Sequence, residues 1–323
     1  MAQMSTRAMT ILGHLGRRLL AAAMLASVAI AVHAQPSSPA AMPQAAPLFL
    51  DCRGKVTASP LVILEAGAFG TSADWDRGLD DLAPGGRVCA YDRAGLGRSA
   101  AVPGDDLSVL GRARELKRLL DQMGVAGRII LVGHSNGALY AEAFARLYPD
   151  RLAGLVYVNG VGTDDLADPR LMAALADERR LSNLAVSLAQ MGLSGLVAGE
   201  LNEGGLSPEA ARRKHQALTC LACLKIARDE DRLIVAGLKD TNALPPLSAT
   251  LPVVVITGDE SPDTTLPRDW RAAEIAPAAR ADHSWVLEAP GASHVSPLTR
   301  DRAYVDAAVG WLRAPFLAGS AGR

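Results

Sequence analysis

Aromatic residues are scarce in this 323-residue chain: four Phe, four Trp and five Tyr, 4% of the total. No Phe or Trp falls between Val161 and Thr250, which leaves that stretch without the flat faces a sugar would want. A surplus of positive charge is also missing. Thirty-three Lys and Arg stand against 34 Asp and Glu, a formal charge of -1, and the basic footprint of a nucleic-acid-binding protein is excluded. Cysteine is limited to Cys52, Cys89, Cys220 and Cys223. The last two form C-x-x-C, but no second such pair and no nearby His pair completes a zinc site. No strand leads into it as in a thioredoxin-like redox motif. Phosphate loops of the Walker or Rossmann type are absent, so no nucleotide is expected. Beyond residue 34 no apolar run reaches the ~20 residues of a membrane-spanning helix. What is present is ordinary globular material, 49% hydrophobic and 21% charged.

The first 34 residues differ from the rest. Met1–Ala34 contains no Asp or Glu; Arg7, Arg17 and Arg18 precede an apolar run, Leu19–Val32, that ends in Val32-His33-Ala34. A basic flank, a short apolar core and a small-x-small exit are expected of a secretory signal peptide, residues 1–34. The competing reading, a membrane anchor, would need a longer run. Cleavage after Ala34 leaves 30 basic and 34 acidic residues, a formal charge of -4. The expected destination is the periplasm or the medium, where the four cysteines favour disulfides over metal. Residues 35–47, rich in Pro, Ala, Ser and Gln, read as a flexible leader.

From residue 48 onward short apolar runs alternate with amphipathic ones. Leu61–Leu64, Arg87–Tyr91, Arg128–Val132, Leu155–Val158, Pro252–Ile256 and Trp285–Leu287 are expected strands. Their apolarity on both faces suits a parallel sheet covered on both sides. Leu116, Leu119, Leu120 and Met123 keep helical spacing up to Gly124; Tyr140, Ala143, Phe144 and Leu147 do so up to Pro149; Val305, Ala308, Val309 and Leu312 define a last helix. The alternation predicts a doubly wound α/β core over 48–160 and 251–316. Residues 161–250, rich in Leu and Ala without a convincing strand, are expected to form a helical insertion, or cap.

Gly133-His134-Ser135-Asn136-Gly137 lies between an expected strand and an expected helix. This is G-x-S-x-G in strand–turn–helix context. A nucleophile at such a sharp turn needs small residues two positions either side, and its hydroxyl then projects at the positive end of the helix. Ser135 is therefore the candidate nucleophile. It needs a base. His134 adjoins it and is expected to point away; His215 lies in the insertion and His283 before a strand. His294 follows the last strand, in a loop at its carboxyl end, where such sheets place their chemistry. The oxyanion hole is expected from the N–H of Asn136 and of Ala68, in the loop after Leu61–Leu64.

Several segments together resemble the α/β-hydrolase esterases. They are Leu61–Gly70 with Trp75, then Tyr91-Asp92-Arg93-Ala94-Gly95-Leu96-Gly97-Arg98-Ser99, then Val132–Gly137, and Gly291–His294. The resemblance spans roughly Phe49–Leu312, with the helical insertion unmatched in detail. It implies the α/β-hydrolase fold, a Ser–His–acid triad, no cofactor and a cap over the site. It also implies that Asp92 and Ser99 shape their loop without acting on substrate. The acid departs from the pattern. Gly258-Asp259-Glu260-Ser261 puts a Ser at the usual acid position, and the alternative position after the fourth strand holds Asn159. Asp259 is the foremost candidate, followed by Asp263, with Glu260 and Asp164 behind. The resemblance further implies that the early strands lie side by side, so that Cys52 and Cys89 can pair. Cys220 and Cys223 are expected to bond locally.

The expected function is hydrolysis of a small-molecule carboxylic ester. Amidase, lactonase or perhydrolase chemistry on the same fold is the alternative within enzymes, and a ligand-binding protein that kept the fold is the alternative outside them. Dehalogenases and epoxide hydrolases of this fold use a carboxylate nucleophile, against which Ser135 argues.

Overall fold

A computed structural model describes residues 48–167, 169–198, 205–258 and 269–318. The Val- and Ile-rich runs form a seven-stranded sheet in the order β1-β3-β2-β4-β5-β6-β7. The strands are β1 (Leu50–Arg53), β2 (Leu61–Glu65), β3 (Val88–Tyr91), β4 (Ile129–His134), β5 (Leu152–Val158), β6 (Val253–Gly258) and β7 (Ser284–Ala289). All neighbours are parallel except β1 and β3. Side chains alternate between faces along each strand. Ile63, Leu131, Leu155 and Val255 point to one face, where they pack with α2 (Val109–Gln122) and α3 (Asn136–Leu147). Val62, Leu64, Ile130, Val132, Val156 and Val254 point to the other, against α1 (Asp76–Leu82) and α9 (Ala303–Ala318). Two cores flank one sheet, as the unbroken apolar runs require.

Local signals place the helices. The Ser108 hydroxyl caps α2 by accepting from the Gly111 N–H, and Gly124, at φ 68°, ends it in the left-handed region that a β-carbon disfavours. Between β5 and β6 the described residues form α4 (Pro169–Gln190), the short α5 (Gly195–Ala198), α6 (Pro208–Thr219) and α7 (Leu221–Asn242), with no strand. A further helix, α8 (Asp269–Ala279), separates β6 from β7.

Two strands differ from expectation. β1 is a short antiparallel edge whose Asp51 and Arg53 interrupt any apolar run. β7 is the other edge, and it is not covered on both faces: Trp285 and Val286 are exposed, with Trp285 tilted against Trp311. An edge strand has one neighbour to pack on, so its apolar residues do not imply burial.

Both cysteine pairs are disulfides. Cys52 and Cys89 face each other in the β1–β3 register and enclose a separation of 37 residues. Closing a loop of that length restricts the unfolded chain and stabilises the fold by about 3–4 kcal/mol. The unfolding free energy of the Cys52→Ala/Cys89→Ala variant, read from urea curves, should therefore be lower than that of the oxidised wild type by that amount. Coincident unfolding curves would show that the bridge adds nothing.

Candidate active site

β4 delivers its last residue, His134, to a turn that reverses into α3. Ser135 occupies the turn at φ 53° and ψ -128°, a conformation that costs a non-Gly residue ~1–3 kcal/mol. The turn is possible only because its flanks are bare. A β-carbon on Gly133 would lie 2.6 Å from the Ala138 Cα, and one on Gly137 would lie 2.6 Å from the Ala66 carbonyl oxygen. Gly133 admits the helix, as expected. Gly137 does something else: it clears the backbone that leaves β2.

That backbone is the loop carrying Ala68. Gly67 runs against the elbow so closely that a β-carbon there would sit 3.0 Å from Ser135 Cβ. Among the described residues no backbone acceptor meets the N–H of Ala68 or of Asn136. Asn136 opens α3, where unpaired N–H groups and the helix dipole favour negative charge.

His294 lies beyond β7. Its Nε2 is 3.0 Å from Ser135 Oγ, so residues 159 apart in sequence meet at hydrogen-bond distance. Two neighbours hold the backbone of the histidine loop. Asn159 donates from Nδ2 to the carbonyls of His294 (3.0 Å) and Ser293 (3.3 Å), and its Oδ1 accepts from the Gly258 N–H at 2.7 Å. At the alternative acid position, then, an amide ties three strand-end loops together. His134 is the second brace. Its Nε2 lies 2.9 Å from the His294 carbonyl oxygen, and the two rings tilt together with centroids 4.9 Å apart. A carbonyl only accepts, so that nitrogen carries the proton.

Burial lowers the His134 pKa from 6.5 to about 4. The unfolded chain then binds a proton below pH ~6.5 that the folded chain refuses until about 4. This histidine's contribution is therefore intact above pH ~6.5 and is lost as pH falls toward 4, by roughly 3 kcal/mol in all. The stability difference between wild type and His134→Gln, followed by urea unfolding from pH 7.5 to 4.5, should shrink with that slope. A difference that stays flat would mean the ring protonates in place.

Asp92 and Ser99 take the structural parts the resemblance implied. Asp92 accepts from the N–H groups of Ser72 (2.7 Å) and Arg98 (2.8 Å), while the Ser99 hydroxyl donates to the Asp92 carbonyl at 2.6 Å. The acid candidates Asp259, Glu260 and Asp263 lie outside the described residues. Asp164 is engaged by Arg280 at 2.6 Å.

Sequence reasoning did not single out Glu178. This residue of α4 hydrogen-bonds the Asn136 side chain; desolvation, with nearby Asp231, pushes its pKa up to about 8. Burial thus favours the protonated form of this carboxyl beside the elbow. Among the described residues no cluster of His, Cys, Asp or Glu is arranged to hold a metal ion, and no helix is long and apolar enough to cross a membrane.

Comparison with known proteins agrees with this architecture. The chain matches the model of the alpha/beta hydrolase family over residues 61–307. It is 33% identical over 177 residues to an AB hydrolase superfamily protein of Gibberella zeae, covering 53% of this chain and 51% of that one. It is 38% identical over 104 residues to a protein of Caulobacter sp. provisionally named carbamate hydrolase RutD, covering 32% and 38%. The chain thus spans about half, or less, of the length of these relatives. Among solved structures, a thermophilic esterase from Thermogutta terrifontis superposes with a TM-score of 0.63 at 26% identity, over 83% of this chain and 93% of that one. The epoxide hydrolase CorEH, at 19% identity and a TM-score of 0.65 over 83% and 95%, shares the fold. With its mostly parallel sheet, its Ser at the strand-to-helix turn and a family match over most of its length, the chain belongs to the alpha/beta hydrolase family.

Proposed function

We propose that this chain is an exported serine hydrolase that cleaves carboxylic esters through an acyl-enzyme. The observation that carries the reading is the 3.0 Å approach of His294 Nε2 to the Oγ of a Ser135 held at positive φ. In this reading His294 takes the Ser135 proton as the hydroxyl attacks the ester carbonyl. The N–H groups of Ala68 and Asn136 receive the developing oxyanion. His294 then gives the proton to the departing alcohol, and a water repeats the sequence to release the acid. Asp259 is the proposed third member, holding the imidazole in the right tautomer. Residues 161–250 act as the cap, and residues 1–34 as the removed export signal.

Opening an epoxide through an enzyme ester would need a carboxylate where Ser135 stands. Amides, lactones and carbamates present the same carbonyl chemistry and remain within reach of this site. The cap buries aliphatic residues, Leu175, Ala185, Val186, Leu188 and Leu224, alongside the charged Glu230 and Asp231, and the aliphatic share suits a neutral acyl group. Each methylene buried adds about 0.8 kcal/mol of binding until the pocket is full.

The test is labelling by a fluorophosphonate, which requires an activated serine, together with kcat/KM on p-nitrophenyl esters of increasing acyl length. Labelling at Ser135 and a rate that peaks at short or medium chains are expected. An unlabelled protein that turns over no ester would overturn the reading. Rates rising through the longest chains, with activation on emulsified triglyceride, would make it a lipase instead.

A further inference from the structure

Arg93 lies in the segment following β3 and is 1% exposed. A guanidinium has five N–H donors in a fixed plane, and here each has an acceptor. Nε donates to Glu230 Oε1 at 3.1 Å, and Nη2 to Glu230 Oε2 at 3.0 Å. Nη1 donates to Glu65 Oε1 at 2.8 Å and to the Ala66 carbonyl at 2.7 Å. The second Nη2 donor goes to the Gly67 carbonyl at 3.0 Å. The ring of Tyr140, on α3, lies under the cation at 4.9 Å.

Two of these five acceptors are backbone carbonyls of the loop that carries Ala68. A trans peptide is planar, so its C=O and N–H point in opposite directions. The Gly67 carbonyl and the Ala68 N–H belong to one such plane. Fixing the carbonyl on Arg93 fixes the direction of the N–H, away from Arg93. The Gly67 backbone already runs against Ser135 Cβ, so the loop has one side on the guanidinium and another on the elbow.

The cation is itself held from the insertion. Glu230 belongs to α7, and Arg112 Nε also donates to its Oε1, at 2.6 Å. Despite complete burial, Arg93 and Arg112 keep the Glu230 carboxyl below its ordinary pKa. Tyr91 hydrogen-bonds the other oxygen of Glu65.

We propose that Arg93 is a positioning residue for the oxyanion hole, clamped by Glu230 of the helical insertion so that the Ala68 N–H is aimed at the reacting carbonyl. This rests on the ester-hydrolase reading of Ser135. It adds that the helices between β5 and β6 bear on rate as well as on which substrate enters, because one of them supplies the carboxylate that seats the clamp.

Arg93→Lys and Glu230→Gln test it, with Arg146→Lys as control. Arg146 pairs with buried Glu142 (2.6 Å) and Thr163, so its loss breaks a comparable pair that does not touch the loop. Losing an oxyanion donor outright costs about 10²–10³ in kcat; misaiming one should cost about 10–100-fold in both test variants. KM should stay within about threefold, as expected for an interaction made in the transition state. The pH–rate midpoint should not move, since the Ser135–His294 pair is untouched. Affinity for a boronic acid, whose adduct is tetrahedral, should fall in step with kcat. Amide hydrogen exchange of residues 66–70 should quicken in both variants and not in the control.

If Arg93→Lys does not fold, Glu230→Gln, which keeps an acceptor oxygen, decides. A folded test variant with wild-type kcat, or a loss matched by Arg146→Lys, overturns the proposal. If the wild type hydrolyses no ester, the ester reading fails separately, and unchanged exchange at 66–70 then overturns the clamp by itself.

Discussion

Replacing Ser135 by Ala should lower kcat by about 10⁴–10⁶-fold, and His294→Ala should fall in the same range. The two losses should not add. His294 lies 3.0 Å from the hydroxyl, and once that hydroxyl is gone the imidazole has no proton to accept. The Ser135→Ala/His294→Ala double variant should therefore be about as slow as either single one. Neither change should cost the fold much. His294 is exposed and Ser135 half-buried, and Ala at 135 removes one oxygen without adding bulk to the strained turn. KM should change little in either variant, because the hydroxyl and the imidazole act mainly on the barrier. The measurement is single-turnover and steady-state hydrolysis of a p-nitrophenyl ester, with circular dichroism to confirm folding. Near wild-type turnover in either single variant would remove the mechanism altogether.

The second large effect concerns the acid. Asp259→Asn is expected to reduce kcat by about 10⁴-fold, through the wrong imidazole tautomer and an unsupported cation. Asp263→Asn and Glu260→Gln should stay within about tenfold of wild type. The expectation follows from β6, whose last residue, Gly258, is bound through its N–H to Asn159 Oδ1 at 2.7 Å. Asn159 in turn holds the carbonyls of Ser293 and His294. The chain after Gly258 thus starts next to the histidine loop, and Asp259 is the first carboxylate it offers. Three variants assayed in parallel separate the candidates. If Asp263→Asn loses activity while Asp259→Asn keeps it, the acid lies four residues further along.

These expectations also mark what the sequence makes legible. The elbow is readable because its requirements are local: two bare positions, a strand before and a helix after. The meeting of His294 with Ser135 is readable because a late loop at a strand end is where such sheets place their chemistry. The acid is not, because Asp259, Glu260 and Asp263 fall within five positions of sequence with no spacing to separate them. Arg93 is hidden for another reason. It lies inside the Tyr91–Ser99 segment, and its partner Glu230 stands 137 residues away. No local periodicity connects them; only the folded sheet and α7 do. Glu178 and His134 are hidden likewise, one by a cross-element contact and the other by adjacency to a louder residue. Edge strands mislead in both directions: β1 is too short and polar to register, and β7 is apolar yet exposed. The Cys52–Cys89 bridge follows from resemblance to a fold with neighbouring early strands, and the register brings the two residues face to face.

The order of strands across the sheet also sets when the site comes into being. From β2 onward, apart from the early exchange of β2 and β3, each new strand is laid beside the previous one, and the sheet grows from one edge to the other in the order of synthesis. Ser135 is therefore placed midway, while His294, its proposed base, waits for the far edge. At translation rates of about 5–20 residues per second, the 159 residues between them take roughly 8–30 s to make. Throughout that interval, on the proposed mechanism, the nascent chain carries Ser135 without the His294 that would activate it. If Ser135 and His294 work as proposed, a chain that stalls or is clipped before β7 holds the elbow without its base and should cut nothing.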